Sequence, residues 1–176
     1  MFKNIFDAGE FPLQWGFIQS QRKRTKEPMN KIERLRQSPL FANLNEDEME
    51  MLAELCKEKH FKPGEIIFRE GDVGDSLYIV DGGKMDVLRE DRNGESKVIA
   101  NIEVGDFFGE MSLIDKDYRS ATVAASEEAR LLNLSNDDLH AFAKVYKNGF
   151  TLIVINIARV LSKRLRETSN RLAARL

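Results

Sequence analysis

The chain has one cysteine, two histidines and no long apolar run, and each scarcity closes off a class of protein. Cys56 alone allows no internal disulfide, so a core must hold the fold and a reducing compartment suits it. His60 and His140 lie far apart and, with a single cysteine, give no metal-ligand spacing. No histidine falls between residues 61 and 134, which argues against a metal-dependent barrel enzyme and against metal-assisted phosphodiester cleavage. No segment reaches the roughly 18 apolar residues of a membrane span. Residues 1–20 contain Asp7, Glu10 and Pro12 and lack the continuous apolar centre of a secretory signal. The expectation is a cytoplasmic, non-enzymatic protein without a membrane span.

What is present is ordinary in bulk and uneven in distribution. The 176 residues, 42% hydrophobic and 32% charged, suffice for one core with additional helices. Residues 1–38 carry a net +4, residues 39–149 a net −11, and residues 150–176 a net +5. An acidic centre argues against a broad nucleic-acid surface. It also requires that any anionic ligand be held by local donors.

Along the chain, Phe2, Phe6, Phe11, Trp15 and Phe17 make an aromatic N-terminal arm, followed by the basic cluster Arg22-Lys23-Arg24-Thr25-Lys26. The arm is expected to pack on the body or a second copy, with partner docking or membrane contact as the sharper alternative. The basic cluster reads as a solvated linker. Residues 29–37 read as a helix stopped by Ser38-Pro39. Asn45 and Glu48 match a capping box, and Met49, Leu52, Ala53 and Leu55 carry helical periodicity to about residue 58. From Phe61 the period becomes two. Short apolar strands alternate with glycine turns at 71, 83, 105 and 109, and Asp91-Arg92-Asn93-Gly94 is a strong hairpin signal. Such spacing predicts a jelly-roll-like β-barrel closed by Thr122–Ala125 and Ala129–Leu134. Ser135 caps a helix with Leu139 and Phe142 on its apolar side, and a turn is expected near Asn148-Gly149. Residues 150–176, free of proline and glycine, read as one long helix. Its seam is Val154, Ala158, Leu161, Leu165, Thr168 and Leu172, spaced as in a coiled coil. A two-fold dimer is expected there, a helix packed only on its own barrel being the alternative.

One stretch carries chemistry: Phe107-Phe108-Gly109-Glu110-Met111-Ser112-Leu113, then Arg119-Ser120-Ala121-Thr122-Val123. A strand that turns at Gly109 into a helical turn leaves the amides of Met111 and Ser112 without internal partners, a cradle for an anion. Arg119 adds a planar fork suited to phosphate oxygens. Glu110 repels a phosphate but can accept from a sugar hydroxyl. Together they describe a site for a nucleotide with few phosphates. The plainer alternative is a surface ion bridge between Glu110 and Arg119, of little energetic value.

Phe-Gly-Glu-x-Ser-Leu followed by Arg-Ser-Ala-Thr-Val resembles the phosphate-binding cassette of the cyclic nucleotide-binding domain family. The family includes bacterial catabolite activators, kinase regulatory subunits and gated channels. The resemblance covers about residues 36–176. It implies a mainly β fold with flanking helices, a jelly-roll-like double-stranded β-helix barrel followed by a long C-terminal helix. The implied division is an N-terminal arm over 1–35, a nucleotide-binding roll over 36–149, and a dimerisation or lid helix over 150–176.

By the same resemblance, Glu110 would accept from the ribose 2′-hydroxyl and Arg119 would pair with the exocyclic phosphate oxygens. Gly109, Met111, the amides of Ser112 and Ala121, and the Ser120 hydroxyl would complete the anion site. Val87, Ile99, Phe108 and Val123 would wall the sugar and base. Thr168 and Ser169 resemble the pair with which the catabolite activator meets adenine across its dimer. The other reading of Thr168 is a hydroxyl bonded to its own helix. The implied ligand is cyclic AMP, with cyclic GMP possible, and no cofactor. A helix-turn-helix would follow in the activators, whereas the sequence stops at Leu176, so direct DNA binding is not expected. An iron–sulfur centre would need more cysteines. The function expected is a sensor that couples nucleotide binding to movement of its C-terminal helix and passes the signal to a protein partner not identified by sequence. A degenerate roll serving as a dimeric scaffold is the alternative, and the intact Glu110 and Arg119 argue against it.

Overall fold

The computed structural model describes residues 29–111, 113 and 118–174, so the expectations for the aromatic arm, the basic cluster and Ser112 lie outside the described residues. Helix α1 (Lys31–Leu35) opens the described chain, shorter than the 29–37 expected from sequence. Its N-terminus is closed by Asn30 and Glu33, each side chain accepting from the other's backbone N–H. A single 3₁₀ turn (Pro39–Phe41) follows. Helix α2 (Glu46–Leu55) starts at the expected Asn45–Glu48 box and carries Met49 and Leu52 into the core.

Eight strands then build two four-stranded antiparallel sheets. They are β1 (Lys57–Phe61), β2 (Ile66–Phe68), β3 (Ser76–Gly82), β4 (Met85–Glu90), β5 (Ser96–Ile102), β6 (Phe107–Phe108), β7 (Thr122–Ala125) and β8 (Ala129–Ser135). The first sheet runs β1-β8-β3-β6 and the second β2-β7-β4-β5. This is the roll expected from the glycine-punctuated strands. Strand β1 corrects the sequence reading, which extended the helix to about residue 58. Lys-Glu-Lys-His lies on a sheet edge, exposed on both faces, so it carries no apolar alternation to mark it.

Two cores share the first sheet as their common wall. In β3, Leu77 and Ile79 face the helices while Tyr78 and Val80 face the roll interior. The same division separates Leu132 and Leu134 from Leu131 in β8, and Phe107 from Phe108 in β6. A strand covered on both faces reads as a continuous apolar run, which is what Leu77-Tyr78-Ile79-Val80 is. Cys56 is buried in the helix-side core, and burial pushes its thiol up to about 12, so it packs as a hydrophobe.

Helix α3 (Asn136–Val145) is capped by Ser135, and helix α4 (Lys147–Ala173) follows after Tyr146. The turn expected at Asn148-Gly149 is instead the first turn of α4. Glycine is cheap there because first-turn amides have no intrahelical acceptor. It is also needed, because a Cβ on Gly149 would lie 2.6 Å from the buried Glu48 carboxylate. Gly149, Ile153, Asn156 and Ile157 form the buried face of α4. Asn156 straps the helix down, its amide donating to the carbonyls of Leu40 and Ala42 at 3.1 and 3.0 Å. At the opposite end of the roll, α1 is tied to β3 by Arg34, which donates to the buried Asp81, a carboxylate that also accepts from Arg130.

Candidate functional site

Past Leu161 the inward face of α4 leaves the core and runs over open space. A cavity of about 830 Å³ lies between the second sheet, the turn after β6 and the distal half of α4. That volume is within the usual range for small-molecule sites.

The turn after β6 is built as the sequence predicts. Gly109 has φ +81°, a conformation natural to glycine. A Cβ there would also meet Nη1 of Arg119 at 2.7 Å and the Ser76 carbonyl at 3.1 Å. Beyond it, Leu113 N–H donates to the Glu110 carbonyl at 3.0 Å, closing one helical turn. Arg119 is set by its backbone: its N–H donates to Asp72, and its carbonyl accepts from Gly71.

Glu110 and Arg119 are 5% and 6% exposed, so neither belongs to a surface ion bridge. Nη2 of Arg119 donates to the Ser76 carbonyl at 2.8 Å and Nη1 to Gly109 at 3.1 Å, with Asp75 at 3.8 Å. Its guanidinium lies 4.1 Å from the centre of the Phe68 ring. Burial pulls Arg119 below its ordinary value, opposed by Tyr78, Asp75, Asp72 and Glu110. The group stays cationic at neutral pH. Burial pushes the Glu110 carboxyl above its ordinary value, against a backbone hydrogen bond and the positive charges of Arg164 and Arg119. A desolvated cation and a desolvated acid therefore share one wall, each gaining from a ligand group of the right polarity.

The structure brings Val87, Ile99, Phe108, Gly109, Glu110, Met111, Arg119, Ser120, Ala121, Val123 and Thr168 together around the cavity. Ile99 is 55% exposed and sits at the rim, on the outer strand β5. The Thr168 hydroxyl donates to the Arg164 carbonyl at 2.9 Å, so the local helix bond is the one present. Ser169 is exposed and is not part of the cavity lining.

Sequence reasoning missed Arg164. From α4 it donates to the Phe107 carbonyl at 2.8 Å, faces Glu110 Oε1 at 3.6 Å and lies over the Phe107 ring. The available signal was spacing: Arg164 precedes Thr168 by four residues and so shares its face. The expected coiled-coil seam divides for the same reason. Leu161 packs on the core and Thr168 borders the cavity, while Val154, Ala158, Leu165 and Leu172 remain exposed. Among the described residues no cluster of metal-ligating side chains occurs, and no helix is long and apolar enough to cross a membrane.

Comparison with known proteins agrees with the geometry. The family model for the cyclic nucleotide-binding domain matches residues 58–146. The cyclic AMP receptor protein of Thermus thermophilus is 35% identical over 130 residues, which is 74% of this chain and 58% of that protein. A cyclic GMP-dependent protein kinase of Plasmodium berghei is 40% identical over 88 residues, 50% of this chain and 10% of the kinase. A solved cyclic nucleotide-binding domain from Methylobacillus flagellatus superposes with a TM-score of 0.74 at 26% identity, covering 84% of this chain and 83% of that one. The chain thus spans little more than half of the receptor and a small part of the kinase.

Proposed function

This chain belongs to the cyclic nucleotide-binding domain family, and we propose that it is a regulatory sensor whose cavity takes a cyclic nucleotide, cyclic AMP ahead of cyclic GMP. The observation that carries this reading is the buried pair Glu110 and Arg119 on one cavity wall with α4 across the mouth. Arg119 offers the phosphate a desolvated positive charge. Glu110 offers the ribose hydroxyl an acceptor. Val87, Phe108 and Val123 supply apolar surface for the sugar and base. Met111, Ser112, Ser120 and Ala121 complete the anion site, and Thr168 keeps acceptor lone pairs for an adenine amino group.

Coupling to α4 runs through Arg164. Ribose binding changes what Glu110 accepts, and Arg164 is the helix residue facing that carboxylate. The nucleotide moves α4 only as far as it binds one helix arrangement better than the other. The exposed Val154, Leu165 and Leu172 fit a dimer seam along the same helix, and a protein partner reads its position.

Isothermal titration with cyclic AMP, cyclic GMP and 5′-AMP tests the reading. Saturable one-site binding of a cyclic nucleotide, tighter than that of 5′-AMP, is expected. Absence of binding by both cyclic nucleotides overturns it and favours the scaffold alternative.

A further inference from the structure

We propose that Phe68 is the positioning residue of the anion site: its ring fixes where the Arg119 guanidinium sits and so sets how well the site holds phosphate. This rests on the cyclic-nucleotide reading above. Phe68 ends β2 and pairs with Val123 of β7, the strand that follows Arg119. Ring and guanidinium therefore meet from a strand and from the loop that leads into its neighbour, 4.1 Å apart, well inside the roughly 6 Å over which an aromatic face attracts a cation. The edge of the guanidinium is fixed by its own donors, Nη2 to the Ser76 carbonyl and Nη1 to the Gly109 carbonyl, and a Cβ at Gly109 would meet Nη1 at 2.7 Å. The ring is itself held, 6.0 Å from Tyr78 and 5.8 Å from Phe108, and those two stack on each other at 5.3 Å. Arg119 is thus clamped on one face by a braced ring and along its edge by two backbone carbonyls.

The choice of an aromatic has a physical reason. A carboxylate here would neutralise Arg119 and compete with phosphate. An aliphatic side chain would give the buried cation no electrostatic support on that face. A ring face stabilises the charge without cancelling it and without taking up an N–H donor. Phe68 also borders the cavity, so simple wall contact with the ligand is the reading to exclude.

The test compares wild type, Phe68→Leu and Phe68→Tyr in binding cyclic AMP and adenosine, which has the same base and sugar without the phosphate. Phe68→Leu is expected to weaken cyclic AMP roughly 2- to 30-fold while leaving adenosine nearly unchanged, and Phe68→Tyr to restore cyclic AMP. Equal losses for both ligands, or no loss for either, overturn the proposal. Should Phe68→Leu not fold, nitrogen–proton NMR of the wild-type Arg119 side chain decides. A ring-current upfield shift of its N–H protons, relieved in no ligand state, supports the clamp, and ordinary positions overturn it. A wild type that binds neither ligand but keeps that shift removes the nucleotide reading while leaving the clamp geometry intact.

Discussion

Arg119→Ala tests the site most directly, because the residue ties the cavity wall together and is proposed to hold the phosphate. Its guanidinium donates to the carbonyls of Ser76 and Gly109. Truncation leaves both carbonyls without that donor, at about 1–3 kcal/mol for a stranded buried group. Partial access of water through the new gap lowers the total to about 2–4 kcal/mol, a Tm decrease of roughly 5–15 °C for a chain of this size. The loss in binding is separate. A bidentate, charge-assisted grip on phosphate contributes about 1.5–3 kcal/mol per bond, so cyclic AMP should bind about 10²- to 10⁴-fold more weakly. Arg119→Lys keeps the charge without the fork and should fall between. Calorimetric titration beside a thermal melt reads both quantities, at a temperature where each variant is folded. An affinity within about threefold of wild type in folded Arg119→Ala would refute the assignment of the anion site.

Three further outcomes are expected. Glu110→Gln should melt above wild type at pH 7. The folded carboxyl ionises above its ordinary 4.5, so its charge costs nothing below that value and progressively more as pH rises past it. The advantage should vanish near pH 4 while nucleotide affinity is lost at pH 7; a Tm difference that ignores pH would contradict this account. Asn156→Ala removes both bonds that strap α4 to the Leu40 and Ala42 carbonyls and should lower stability by about 1–3 kcal/mol, read by denaturant melts. An unchanged midpoint would show the strap to be idle. Leu165→Glu with Leu172→Glu should give a monomer in sedimentation velocity if α4 is the dimer seam, and a persisting dimer would put the interface on another face.

The roll itself was legible because its signals are local. A glycine between short apolar strands announces a turn, and Gly109 takes φ +81° there; Asn45 with Glu48 announces a helix start. The Gly109–Glu110 turn and Arg119 lie close in sequence, so their pairing in one site was legible too. Strand β1 was not. Its residues are polar on both faces, and only pairing with β8 makes them a strand.

The sequence alone determined the β-roll, the cassette with its acid and arginine, and the long helix, since each follows from residue types at short fixed spacings. Tertiary structure decided the rest. It turned one face of α4 from core to cavity, split the apolar seam between Leu161 inside and Leu165 outside, set Arg164 opposite Glu110, and placed Phe68 beneath Arg119. These contacts join residues 51 to 54 positions apart, and no local periodicity encodes which side chains meet once distant elements pack.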